Sequence, residues 1–117
     1  MPKLLILCIA VAFIAACGGA PVPNERVASA QASVRAAEVG GAQGVPQAIL
    51  HLKRAKEQIE KAKALIKDGD NEEADWVLQR AEVDAELALS LAREATARSE
   101  AQSARDQVQK LKSQKIE

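Results

Sequence analysis

From Asp70 to Lys112 the chain contains neither Gly nor Pro, a run of more than forty residues without a helix breaker. Within it Ala74, Val77, Ala81, Ala85, Ala88, Ala92 and Ala95 recur at three- and four-residue spacing, the period of one helix face. Such a stretch predicts a single helix of about 60 Å. Whatever else the chain does, it must fold around that rod. Asp70-x-x-Glu73 reads as a capping-box variant opening the helix, predicted over 71–112. Ala97, Ala101, Ala104, Val108 and Leu111 keep the same spacing on a shifted face, as though the phase slipped near residues 95–97, like a stutter in a coiled coil.

Two shorter helices precede it. Pro46 suits a first helical position, and Ala48, Leu52, Ala55, Ile59, Ala62 and Ile66 form a strict 4-3-4-3-4 stripe. Lys67-Asp68-Gly69 supplies a basic last turn and a terminal Gly, bounding this helix at 46–68. Further upstream, Asn24 offers an N-cap, and Val27, Ala30, Val34 and Ala37 define a helix over 25–39 that stops at Gly40-Gly41. The expected fold is all-α: an antiparallel hairpin within a three-helix arrangement, with a long C-terminal helix. A helix of 46–68 reaches only about 33 Å, so the last twenty residues of its longer partner must overhang.

Charge agrees with the hairpin. Residues 53–68 carry six basic and three acidic side chains, whereas residues 70–92 carry seven acidic ones and only Arg80 basic. A +3 helix beside a −6 helix is attractive, though each exposed pair contributes under about 1 kcal/mol. With 24 Ala, one Phe, one Trp and no Tyr, there is little bulk to line a deep pocket. Stability is therefore expected to be marginal, with the overhang dependent on a partner or fraying.

The N-terminal segment has a different character. Lys3 is followed by an uncharged apolar run, Leu4 to Ala16, and then Cys17. Thirteen apolar residues span about 20 Å as a helix, against a hydrocarbon core of roughly 30 Å, which fits an export signal helix and not a membrane span. Cys8 would leave with that signal, so no disulfide could form within a mature chain retaining Cys17 alone. Gly18-Gly19-Ala20-Pro21-Val22-Pro23 reads as a linker.

Ile14-Ala15-Ala16-Cys17 resembles the lipobox of bacterial lipoproteins. The resemblance implies a signal peptide over 1–16, diacylglyceryl transfer to the Cys17 sulfur, and an acylated linker over 17–24. It places the helical domain at 25–112 and a tail at 113–117. Several acyl chains hold a protein firmly, at about 0.8 kcal/mol per buried methylene. Gly18 stands where an Asp would direct retention at the inner membrane. The outer membrane, facing the periplasm, is therefore the expected location.

From about Asn24 to Lys112 the chain is also similar to a family of alanine-rich helical bacterial lipoproteins classed only as a domain of unknown function. The likeness rests on the lipobox, the Val27–Val39 helix, Pro46-Gln47-Ala48, and Ala62-x-x-Leu65-Ile66-x-x-Gly69-Asp70-x-x-x-Ala74. Some relatives carry this domain ahead of an OmpA-like peptidoglycan-binding domain. No such segment follows here, so wall binding is not expected to carry over.

Chemistry-bearing motifs are few. His51 is the only His, and no acidic residue lies three or four positions away on its helix. A structural role is expected for it, and neither a metal site nor a cofactor is. Asp84 and Glu86 are expected on the outer face of their helix, without the burial that tunes a general acid. There is no phosphate-binding Gly loop or nucleophile elbow, so no enzyme is expected. Net charge is zero, which argues against a nucleic-acid partner. Trp76 reads first as a plug closing the hairpin and second as a partly exposed anchor for a partner. The expected role is structural or adaptor, through coiled-coil-like contacts. Membrane attachment is through acylated Cys17, and the seam Ala97, Ala101, Ala104, Val108 and Leu111 would face a second copy or another envelope protein. The alternative is a periplasmic binder or carrier of a lipid or other envelope ligand.

Overall fold

A computed structural model describes residues 19–115. The expected signal helix, Cys8, Cys17 and Gly18 lie outside the described residues, as does the end of the tail. Among the described residues the chain is all-α and contains no strand. Helix α1 spans Asn24–Val39, a 3-10 turn spans Ala42–Gly44, α2 spans Pro46–Asp68, and α3 spans Asn71–Gln114.

The helix ends follow local chemistry, although not all of it was anticipated. Pro23, not Asn24, occupies the N-cap position of α1, and no side chain caps that end. The Pro23 carbonyl accepts the first helical bond, from the Val27 N–H at 3.0 Å. Asp70 does stand at the N-cap position of α3, but the capping box does not close. Its backbone carbonyl accepts from the Ala74 N–H, while Glu73 faces Lys61 across the hairpin at 3.5 Å. Gly69 ends α2 in the left-handed region at φ 87°. The Asp70 N–H donates to the Leu65 carbonyl and the Gly69 N–H to the Ile66 carbonyl, the paired bonds of a Schellman motif. A Cβ at Gly69 would have open space, so its cost is purely backbone strain. Gly69→Ala is expected to lower stability by about 1 kcal/mol, seen as a shift of a few degrees in the thermal melt. Gly40 is constrained differently, since an added Cβ would run into Leu89 Cδ1.

Cross-helix contacts fix the topology. His51 pairs with Asp84 and Lys61 with Glu73, so residue numbers of facing pairs sum to 135 and 134, as in an antiparallel hairpin. Arg26 pairs with Asp75 and Glu82, and Gly40 abuts Leu89, so α1 runs parallel to α3. Lys56 and Glu38 tie α2 to α1. The three helices meet in one core of sixteen buried residues, of which eleven are Ala. The others are Val34, Leu52, Ile59, Val77 and Leu78, and among the described residues Leu78 is the one large side chain completely shielded from solvent. Alanine lets helix axes approach closely while removing little apolar area from water at each position.

The α3 residues in this core end at Ala92. Half of the 44-residue helix, residues 71–92, packs against α1 and α2; residues 93–114 extend beyond them for about 33 Å. All of that extension is exposed apart from a half-buried Ala95.

Candidate functional site

The end of the bundle where α3 begins holds an open groove of about 870 Å³ lined by Pro21, Pro23, Arg26, Asn71 and Trp76 among others. Asn71 Nδ2 donates to the Ala20 carbonyl at 2.7 Å, fastening the linker to the start of α3. Trp76 is 61% exposed and lies along one side of the groove. The hairpin is closed instead by the Schellman turn and Ala74, so Trp76 is not its plug. The core is too alanine-lined and narrow to admit an indole.

Two polar clusters bind the helices together. Arg26 Nε donates to Asp75 Oδ1 at 3.1 Å, and its Nη1 lies 3.5 Å from Glu82 Oε2. The hydrogen bond Arg26 donates to Asp75 outweighs partial desolvation and raises the guanidinium pKa above its ordinary value. In the second cluster, His51 Nδ1 and Asp84 Oδ1 are 2.9 Å apart, and Gln58 Nε2 donates to Asp84 Oδ2 at 2.9 Å. Asp84 therefore does not sit on the outer face, as its sequence neighbourhood suggested. It is four-fifths buried at the α2–α3 boundary and holds the acid partner's place for His51. A His–carboxylate pair orients an imidazole, and here it also joins α2 to α3. The arrangement is a clasp between helices. Asp84→Ala should cost about 1–2 kcal/mol, because it orphans two partly buried donors, and a urea titration would register it as a lower midpoint at unchanged slope.

Among the described residues, no group of three or more His, Cys, Asp or Glu is placed to hold a metal ion, and no helix is long and apolar enough to cross a membrane.

What α3 does offer is a face. Its exposed large apolar side chains are Trp76, Val83, Leu87, Val108 and Leu111. All five fall on one 4-3 repeat, which Ala97, Ala101 and Ala104 continue, with Arg80, Ser90 and Glu94 at the intervening positions. The five seam residues anticipated from sequence are all exposed and form its distal half. Val83 and Leu87 were missed because those polar positions interrupt the pattern. This also explains the change of phase near residues 95–97. Ala95 and Ala97 are two positions apart, or about 200° around the helix. There is no stutter in one seam, but two stripes on opposite faces: one buried in the bundle, the other facing solvent along the whole helix.

A packed alanine core, open surface grooves and one long exposed helix face define an all-helical three-helix class among the described residues. The chain belongs to the family described as Domain of unknown function (DUF4398), whose profile matches residues 25–104. The match takes in α1, the hairpin and the overhang through Ala104. No curated protein and no solved structure matches the chain.

Proposed function

We propose that this protein is a lipid-anchored envelope lipoprotein that serves as a non-catalytic structural or adaptor module, engaging its partner through the outer face of α3. The observation carrying this reading is that every exposed large apolar side chain of α3 lies on a single stripe that continues along the overhang. Isolated exposed apolar residues are ordinary, but a row of them at coiled-coil spacing is the pattern of a helix-docking face. The anchor is Cys17, on the strength of the lipobox-like Ile14-Ala15-Ala16-Cys17, and Gly18 favours the outer membrane facing the periplasm. The Asn71–Ala20 hydrogen bond supports the geometry: α3 starts beside the linker that follows Cys17, so its free end points away from the attached end.

The experiment is photocrosslinking in the native envelope with probes at Ala97, Ala101, Ala104 and Val108, beside a Cys17→Ala control. Discrete crosslinks from the stripe, and loss of membrane attachment in Cys17→Ala, are the expected results. A chain that stays membrane-bound without Cys17 would refute the anchor. Silence at all four probes would refute the docking face.

A further inference from the structure

The outer stripe also carries a specific pattern of charge. On the overhang it is flanked by Arg98, Arg105 and Lys112 along one edge and by Arg93, Glu100 and Gln107 along the other. Residues 93–115 hold six basic and three acidic side chains, whereas residues 70–92 of the same helix are strongly acidic. One half of α3 is thus the electrostatic complement of the other. Arg98 is engaged locally with Glu94 at 2.6 Å, but Arg93, Glu100 and Arg105 form no ion pair among the described residues.

Consider two copies of α3 laid stripe to stripe. Parallel and in register, they stack Arg80 on Arg80 and Glu94 on Glu94 within the seam, and place Arg93 beside the partner's Arg98. Buried or facing like charges oppose that arrangement. An antiparallel pair in which facing residue numbers sum to 191 avoids all three clashes. Val83 then meets the partner's Val108, Leu87 meets the partner's Ala104, and Ser90 meets the partner's Ala101. Val83 and Val108 set large against large, Leu87, Ser90 and Glu94 each face an Ala, which permits close approach, and Arg80 lies over the partner's Leu111. On one edge, Arg93 lies beside the partner's Glu100, twice by the two-fold symmetry. Sliding by one heptad in either direction brings like charges together, either Arg98 on Arg98 with Glu100 on Glu100, or Arg93 on Arg93. Charge alone selects one register.

We infer that the partner of the outer face is a second copy of this chain, paired antiparallel with the basic overhang of each on the acidic half of the other's α3. The inference rests on the docking role proposed above and names its occupant. In that register the two α3 starts are about 70 Å apart, at opposite ends of the pair. A dimer of anchored chains would therefore lie along the membrane.

The test uses the purified full chain carrying either Val83→Cys or Val108→Cys, with the parent chain as background for its own thiols. Oxidising a mixture of the two variants should give a crosslinked heterodimer, with little product from either variant alone. Self-crosslinking of Val108→Cys, the parallel result, would overturn the inference. Arg93→Glu should raise the dimer dissociation constant about ten-fold, because two attractive pairs become repulsive, and adding Glu100→Arg should restore it. In a parallel pair Arg93→Glu would tighten association instead. A chain that sediments as a monomer at its highest soluble concentration overturns the inference, while crosslinks to a different protein in the envelope would leave the docking face standing.

Discussion

Ala81→Glu is expected to unfold the bundle, while Ala101→Glu, the same substitution on the same helix, leaves its melting temperature within a few degrees. Ala81 has no exposed surface and lies in the buried stripe of α3. A glutamate there adds volume to a seam with no space for it, at about 1–3 kcal/mol. It also removes a carboxylate from water with no cation placed to receive it, at several kcal/mol more. A small domain has roughly 5–15 kcal/mol in all, so this loss consumes most of the fold's stability. Ala101 sits in the outer stripe of the overhang, fully hydrated, where surface substitutions stay within about 0.5 kcal/mol. Its effect should appear in association, by breaking the seam with the partner helix. Far-ultraviolet circular dichroism during heating separates the two outcomes. Equal destabilisation by both substitutions would mean that α3 buries its outer face within the monomer, contrary to the exposure of Val83, Leu87 and Leu111.

The contrast between those two alanines marks what sequence could and could not resolve. The helices themselves were legible, because the breakers are where a hairpin needs them. Gly69 adopts the left-handed turn, Pro46 opens α2, and no breaker interrupts α3. Buried stripes were legible for the same periodic reason. Cross-helix partners were not. His51 has no acid three or four positions away on its own helix, and its partner is Asp84, thirty-three residues on. That pairing follows only once the turn at Gly69 fixes which positions face each other. Trp76 misled through its bulk: large apolar residues usually fill cores, but a core built from alanine excludes an indole. The caps misled in a smaller way, since Pro23 and not Asn24 stands at the first N-cap, and neither that end nor the Asp70 end of α3 has a side-chain cap hydrogen bond. The outer stripe was half legible. Its distal part stands alone on the overhang, but beside the bundle it shares its sequence with the core stripe, and only exposure separates the two.

Leu78→Ala is expected to lower stability by about 3 kcal/mol, within the 2–5 kcal/mol range of such truncations. Leu78 would pass for an ordinary helix residue in the sequence, one position off the alanine repeat. Among the described residues it is the one large side chain with no solvent exposure, within a core that is otherwise mostly alanine. Alanine neighbours have no rotamers with which to fill the space left behind, and the helices are already held at a spacing set by their Cβ atoms. The cavity should therefore persist instead of collapsing, which puts the cost in the middle of the range and not at its floor. For a domain of this size the corresponding drop in melting temperature is about 10–20 °C. Leu111→Ala, which removes the same atoms from a side chain 66% exposed on the overhang, should leave the melt of the isolated monomer almost unchanged. The pair of leucines thus tests the division of α3 by truncation, as the pair of alanines tests it by charge. A Leu78→Ala melt within a few degrees of the parent would show that the alanine seam alone holds the three helices together.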